Sequence, residues 1–213
     1  MMTVTIAANG QFPRKEYPRY LISSADAIVC CDGALQTLEK HGIVPEVVIG
    51  DLDSICQRAL GRFKGVKVHD TNQENNDLSK AFDYVMANFP DVASIHIIGA
   101  TGRSEAHTLG NLSLLMEYEK KYDLTARGIS VDMVSDYSTA FAIGGSCDLH
   151  IGSGRRISLF SPDPTLNIKS KGLEWPTDNV VFDNWWKATL NIALADVVEL
   201  VFNHPSMALV ILD

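Results

Sequence analysis

The chain has 213 residues, of which 46% are hydrophobic, and it carries a formal net charge of -8 at pH 7. This length suits one large domain or two modest ones with a core, and the negative charge argues against a nucleic-acid partner, which requires a basic face. No apolar run is long enough to span a bilayer, and residues 1–10 lack a signal-peptide pattern. The four cysteines form no CxxC motif. We therefore expect a cytoplasmic protein with reduced cysteines and no membrane partner.

The first two thirds of the chain alternate between short apolar runs and segments with helical periodicity. Strands are predicted at residues 3–8, 27–31, 47–49, 66–69 and 94–98. Helices are predicted to end near residue 24 and to cover residues 34–41, 54–63, 77–88 and 107–122. This alternation is typical of βαβ units and predicts a mainly parallel, Rossmann-like sheet.

The pattern changes near residues 134–139, beyond which only short strand-like runs separated by Gly and Pro remain. These runs cover residues 141–143, 148–151, 156–160, 166–170, 189–193, 197–202 and 207–212. Such spacing is typical of a small all-β sandwich. The predicted organisation is an α/β domain at residues 1–137 followed by a β-sandwich domain at residues 138–213.

Two carboxylates follow the third predicted strand. Gly50 lets the backbone turn sharply as it leaves the sheet, and Asp51 and Asp53 come next. Open α/β sheets bind ligands at the carboxyl ends of their strands, and two hard oxygen donors at this spacing suit Mg²⁺. The alternative is that Asp53 and Ser54 cap a following helix.

Three further loops are expected at the same edge of the sheet, because each also follows a strand. Residues 32–34 include Asp32 and Gly33, and Gly33 would permit close approach of a ligand to the backbone. Residues 72–77 open a helix that carries Lys80 one turn in. Asp77 either caps that helix or binds a ligand, whereas a lysine near a helix start favours a bound anion such as phosphate.

The fourth loop is the glycine-rich turn at residues 99–103, which leads to His107. It lacks the Gly-Lys-Ser/Thr of a Walker loop, but its backbone N–H groups suit a phosphate chain. His107 either packs and caps or contacts a ligand. In the β-rich part, Trp175, Trp185 and Trp186 form core or interface, or an exposed pair stacks on a flat heterocycle.

Together these motifs resemble the thiamine pyrophosphokinase family. The resemblance covers nearly the whole chain and rests on the order and spacing of five segments: Asp-Gly-Ala at 32–34, Gly-Asp-Leu-Asp-Ser at 50–54, Asn-Asp-Leu-Ser-Lys-Ala at 76–81, Gly-Ala-Thr-Gly at 99–102 and His-Thr-Leu-Gly-Asn-Leu at 107–112. It implies transfer of the diphosphate group of ATP to thiamine, which gives thiamine diphosphate and AMP. It also implies a homodimer whose active sites lie between the α/β domain of one subunit and the β-domain of the other.

The resemblance also implies roles for individual residues. Asp51, Asp53 and Asp77 become Mg²⁺ ligands and, with Lys80, the catalytic set. The implied nucleotide-binding residues are Asp32, Gly33, Lys80, Thr101, Gly102 and Arg103, with Asp32 positioning the nucleotide or binding metal through water. Those implied to bind thiamine are Gln73, His107 and Asn191.

Two departures from the family pattern stand out. The family usually has Gly-Arg-x-Asp-His in the fourth loop, whereas this chain has Ser104 and Ala106 at the Arg and Asp positions and an arginine one place earlier, at Arg103. Arg103 and Glu105 are the available substitutes. In the family's Ser-Asn pair, Leu190 replaces the serine that precedes Asn191.

Two rival functions remain open at this stage. The Asp51-Leu52-Asp53 segment also matches the metal-binding motif of nucleotide-sugar glycosyltransferases, although that interpretation leaves Asp77, Lys80 and the β-domain unexplained. A phosphohydrolase fits poorly, because its nucleophilic aspartate normally follows the first strand. The other rival is a non-catalytic thiamine- or nucleotide-binding protein that kept the fold.

Overall fold

The computed structural model describes residues 1–213, which form two compact units. The first unit comprises Met1–Asn111 and Gly128–Asp136, and the second comprises Leu112–Arg127 and Tyr137–Asp213. Residues 112–127 thus belong to the second unit, whereas the sequence predicts a single domain boundary after residue 137.

The first unit is built on six parallel strands. They are β1 (Met2–Ala7), β2 (Ala27–Cys31), β3 (Val47–Gly50), β4 (Val66–His69), β5 (Val92–Ile98) and β6 (Ser130–Val134). The central strands are apolar on both faces, as expected for a parallel sheet covered on both sides. Strand β6 is missing from the sequence prediction because Asp132 interrupts its apolar run. In the fold this carboxylate pairs with His96 on β5, at 2.7 Å from Nδ1.

Five α-helices follow the predicted pattern: α1 (Glu16–Ser23), α2 (Leu35–Lys40), α3 (Gln57–Arg62), α4 (Asp77–Asn88) and α5 (Glu105–Tyr122). Helix α4 has the predicted bounds and buries Leu78, Ala81, Phe82 and Val85 on one face. Helix α5 begins two residues before the predicted start, because Ser104 acts as its N-cap and its Oγ accepts a hydrogen bond from the His107 N–H at 3.3 Å. None of the helices combines the length and apolar character needed to cross a membrane.

The strand order of the first sheet is β4-β3-β2-β1-β5-β6. The chain therefore builds outward from β1 in one direction through β4, then returns to the other side of β1 with β5. After β1 the chain leads to β2 and after β5 it leads to β6, on opposite sides of this reversal, and a ligand crevice is expected at the carboxyl ends of β1 and β5. The fold thus predicts a ligand site beside β1, a position that the sequence analysis does not single out.

The second unit contains two antiparallel sheets. One has the order β7-β13-β9-β11, formed by β7 (Thr139–Ile143), β9 (Arg156–Phe160), β11 (Asn191–Ile192) and β13 (Ala208–Leu212). The other has the order β10-β12-β8, formed by β8 (Cys147–His150), β10 (Ile168–Lys171) and β12 (Val197–Phe202). Buried side chains of both sheets share one core cluster, so the two sheets form a sandwich. The predicted fold class, a mainly parallel α/β part followed by a β sandwich, is confirmed.

Candidate functional site

A cavity of about 590 Å³ opens in the first unit at the carboxyl ends of its strands. Its wall combines the loops after β1, β2, β3 and β5 with the first turns of α4 and α5. Among the lining residues are Asn9, Asp32, Ser54, Asp77, Thr101, Arg103 and His107. This position agrees with the crevice expected from the strand order.

Three carboxylates cluster beside this cavity. Asp32 follows β2, while Asp51 and Asp53 follow β3, and one oxygen of each lies within 4.8 Å of the others. Asp32 is buried, and its Oδ2 has no hydrogen-bond partner. An unpartnered buried carboxylate oxygen is costly, and a hard cation is the ligand that such an oxygen set satisfies. The cluster therefore fits Mg²⁺.

The electrostatics of the cluster point the same way. Burial raises the pKa of Asp32 to about 6, and the nearby charge of Asp77 adds to this, against the opposing hydrogen bond from the Gly33 N–H. The pKa of Asp51 is lowered, chiefly because its Oδ1 accepts from the Asp53 N–H at 3.2 Å, and the Gln73 side chain also donates to it. The surroundings of Asp32 thus disfavour its charged form, and a bound cation would favour that form.

Asp77 and Lys80 lie at the start of α4. Asp77 lines the cavity but is outside the group formed by Asp32, Asp51 and Asp53, so its role as a metal ligand stays a prediction. Lys80 is buried, and its Nζ donates to the Asp70 carbonyl at 3.0 Å and to Asp77 Oδ1 at 3.4 Å. The Lys80 ammonium group is thus bound by protein oxygens, whereas the sequence predicts a phosphate as its partner.

The helix-capping alternatives for the acidic residues are wrong. The N-cap of α4 is Asn76, whose side chain accepts from the Ser79 N–H at 2.8 Å. Helix α3 begins at Gln57 with Cys56 as N-cap and no side-chain cap, so Asp53 and Ser54 lie outside it. Their side chains instead bond to each other, with Ser54 Oγ donating to Asp53 Oδ1 at 3.1 Å.

The glycine-rich fourth loop contributes Thr101 and Arg103 to the cavity wall. Gly102 adopts a left-handed conformation with φ of 87°, and its N–H donates to Thr108 Oγ1 at 3.3 Å. The Arg103 guanidinium faces Asn9, to which Nη1 donates two hydrogen bonds. His107 also lines the cavity, in the first turn of α5.

The loop after β1 is the part of the site that sequence reasoning missed. Asn9 and Gly10 both line the cavity, and a Cβ on Gly10 would lie 2.3 Å from the Gly99 carbonyl oxygen, so only glycine fits there. Asn9 also explains Gly33, because a Cβ on Gly33 would meet the Asn9 amide nitrogen at 2.2 Å. The missing side chain of Gly33 therefore makes room for Asn9, and a nucleotide contact by Gly33 stays a prediction. The only sequence signal was an Asn-Gly pair directly after a strand.

The remaining predicted thiamine contacts lie in different places. Gln73 is exposed on the loop before α4 and reaches Asp51. Asn191 belongs to the second unit and is buried there. Its Nδ2 donates to the Trp175 carbonyl at 2.6 Å, and its Oδ1 accepts from the Trp175 N–H at 3.1 Å. The amide is thus committed to the backbone of Trp175, and a thiamine contact by Asn191 stays a prediction.

Exposed aromatic side chains distinguish the second unit. Trp175, Trp185 and Trp186 are 56%, 51% and 69% exposed, so they are not core residues. Leu190, which has a positive φ of 58°, is exposed as well. Phe182 is buried and does not add to this apolar surface.

Comparison with known proteins gives matches in both units. The model described as "Thiamin pyrophosphokinase, catalytic domain" matches residues 18–126. The model described as "Thiamin pyrophosphokinase, substrate-binding domain" matches residues 140–207. The two matches follow one another in the order of the α/β and β-rich parts of the chain.

Individual relatives agree with the family models. A protein named thiamine pyrophosphokinase from Bacillus subtilis (strain 168) is 34% identical over 88 residues, and the match spans 39% of this chain and 40% of that protein. A crystal structure of thiamine pyrophosphokinase from Bacillus subtilis has a TM-score of 0.77 and 20% identity, covering 99% of this chain and 98% of the other. A thiamin pyrophosphokinase family protein from Enterococcus faecalis has a TM-score of 0.79 and 18% identity over the same shares. At these identities the solved structures bear on the fold.

Proposed function

Because this chain belongs to the thiamin pyrophosphokinase family, we propose that it transfers the diphosphate group of ATP to the hydroxyethyl group of thiamine, giving thiamine diphosphate and AMP. The observation that carries this proposal is the acidic cluster of Asp32, Asp51 and Asp53 at the edge of a cavity large enough for a nucleotide. Phosphoryl-group transfer requires such charge compensation and positioning, and little covalent chemistry from the protein.

The residues of the first unit have different proposed roles, which follow from where they lie in the cavity. The turn with Thr101 and the Arg103 guanidinium form the part of the cavity wall suited to the phosphate chain, because they supply N–H donors and a positive charge. His107, in the first turn of α5, lines the same wall. Lys80, held between Asp70 and Asp77, fixes the start of α4 and compensates the acidic residues around it.

Asp32, Asp51 and Asp53 would hold Mg²⁺ in this proposal, and Asp77, which lines the same cavity, is a further candidate ligand. A bound Mg²⁺ neutralises charge on the phosphate oxygens and orients them for in-line displacement. The thiamine hydroxyl oxygen forms a bond to the β-phosphorus and gives up its proton to a nearby carboxylate. The bond from the β-phosphorus to the α–β bridging oxygen breaks, and AMP leaves with that oxygen.

The direct test is incubation of the purified protein with thiamine, ATP and Mg²⁺, followed by quantification of AMP and thiamine diphosphate. We expect both products in equal amounts from the wild type and neither from Asp51→Asn or Asp53→Asn. Both variants should retain the wild-type melting temperature within a few degrees, because Asp51 and Asp53 pack no core. Near-normal turnover in both variants would contradict the metal assignment.

The same incubation separates the rival functions. A non-catalytic homologue would bind thiamine or ATP without forming AMP. A glycosyltransferase would leave both unchanged and hydrolyse or transfer from a nucleotide sugar. The match of the substrate-binding model to residues 140–207 favours the diphosphotransferase over the glycosyltransferase.

A homodimer with shared active sites is part of the proposal. The exposed Trp175, Trp185 and Trp186 support it, since large apolar side chains left exposed on a domain are available for an interface. Sedimentation equilibrium at micromolar concentration should give twice the chain mass. Asn191 is the predicted site residue of the β-domain, so an Asn191→Ala variant should lose activity. Mixing it with Asp53→Asn should restore part of the activity if each site uses two subunits, and an active monomer would refute the shared site. We further propose a cytoplasmic location, in line with the reduced cysteines.

A further inference from the structure

The fourth loop of this chain carries its arginine one place earlier than the family pattern, and a side chain from another loop holds it. Arg103 Nη1 donates to the backbone oxygen of Asn9 at 2.9 Å and to the Asn9 side-chain Oδ1 at 2.9 Å. Asn9 and Arg103 are 94 residues apart in sequence. Both line the cavity.

The two residues face each other across the reversal of strand order. Asn9 follows β1 and Arg103 follows β5, and the backbones of these loops are themselves joined, with the Gly10 N–H donating to the Gly99 carbonyl at 2.5 Å and the Gln11 N–H to the Thr101 carbonyl at 2.8 Å. The two loops are therefore hydrogen-bonded to each other, and this fixes the position of the Asn9 backbone beside Arg103. Ligands of open α/β sheets bind at this crevice.

Asn9 is fixed from a second side. The absence of a side chain at Gly33 makes room for the Asn9 amide, which lies where a Cβ would stand. The Asn9 amide thus lies against Gly33 on one side and the Arg103 guanidinium on the other. An exposed arginine otherwise samples many rotamers, and ordering it costs side-chain entropy.

We propose that Asn9 is a positioning residue that orders the displaced Arg103 for the phosphate chain of the nucleotide. Both of the acceptors that Asn9 offers are taken by a single guanidinium nitrogen. The other three N–H donors of the guanidinium, one on Nε and two on Nη2, then remain for anionic oxygens. This inference rests on the proposed function only in taking the ligand to be ATP.

The pairing predicts non-additive effects on ATP binding. We expect isothermal titration calorimetry with ATP and Mg²⁺ to show roughly tenfold weaker binding for Arg103→Ala and about three- to tenfold weaker binding for Asn9→Ala. The double variant should bind no more than about twofold more weakly than Arg103→Ala. Asn88→Ala is the control, because it removes the same amide side chain at the end of α4, where Asn88 Nδ2 donates to the Tyr84 carbonyl. Its Kd should equal the wild-type value.

Chemical rescue gives a readout that general loosening of the loop would not produce. Free guanidinium ion at low millimolar concentration should restore ATP affinity to Arg103→Ala, since Asn9 still offers both acceptors. It should not restore the double variant, and tetramethylammonium chloride should restore neither. Equal rescue of both variants, or independent additive losses, would overturn the pairing.

These binding measurements stand apart from the turnover assay. A wild type that binds ATP with the predicted coupling but forms no AMP refutes the diphosphotransferase and supports the pairing. If the wild type forms AMP but the losses of ATP affinity at Asn9 and Arg103 are additive, the diphosphotransferase is supported and the pairing is refuted. Wild type that binds no ATP contradicts both.

Discussion

Replacing Asp32 by Asn should stabilise the metal-free protein while abolishing its activity. Asp32 is 2% exposed, and its Oδ2 has no hydrogen-bond partner. The asparagine keeps the acceptor for the Gly33 N–H and removes the charge. Its new N–H₂ group points into the acidic cluster, where carboxylate oxygens of Asp51 and Asp53 are available as acceptors.

The magnitude follows from the raised pKa. The pKa of Asp32 is about 6 in the folded protein against an ordinary 3.8. A carboxyl group with a raised pKa costs nothing below its unfolded pKa and destabilises the fold increasingly as pH rises through the folded pKa. The difference of about two pKa units corresponds to at most about 3 kcal/mol above pH 6. The variant should therefore gain up to about 3 kcal/mol at pH 8 and almost nothing near pH 4.

Urea unfolding in excess EDTA at pH 4 and pH 8 measures this difference. Asp53→Asn is the matched control, because it removes a charge from the same cluster at an exposed position and should change the free energy of unfolding much less. Adding Mg²⁺ should stabilise the wild type more than Asp32→Asn, since the variant lacks one ligand. A wild-type and variant difference that is the same at both pH values would refute the assignment of the cost to Asp32 ionisation.

Three further predictions concern stability. Gly10→Ala should destabilise the first unit by about 1–3 kcal/mol in urea unfolding, because its Cβ would collide with the Gly99 carbonyl, whereas Gly61→Ala, which meets nothing within 4 Å, should be neutral or stabilising. Phe82→Ala, at a fully buried position of α4, should cost about 3–5 kcal/mol by the same measurement. Hydrogen bonds from Thr165 and Ser206 lower the pKa of Asp163 to about 2, so its stabilisation is complete above pH 4 and lost as pH falls toward 2. In Asp163→Asn the melting temperature should therefore change less between pH 4 and pH 2 than in the wild type. The same pH dependence in both proteins would contradict this.

Local sequence patterns predicted most of the elements and the acidic half of the site. The continuous apolar run of β2, the two valines of β4 and the helical spacing in α4 are local signals, and all three elements have the predicted bounds. Asp51 and Asp53 were identified because the carboxyl end of a parallel strand is itself readable from sequence. Strand β6 escaped because the partner that makes Asp132 acceptable, His96, is 36 residues away.

The sequence by itself determined which residue types stand at the strand ends, and through them the family, the fold class and the Asp51–Asp53 pair. Only the tertiary structure decided the strand order, which puts β1 beside β5 and brings Asn9 to Arg103 and Asp32 to Asp51. Only the fold, likewise, sends Lys80 to Asp70 and Asp77 and Asn191 to Trp175. The physical reason is that a local pattern records how a side chain relates to its own helix or strand, whereas hydrogen bonds and charge interactions depend on distances that exist only once separate segments have packed together.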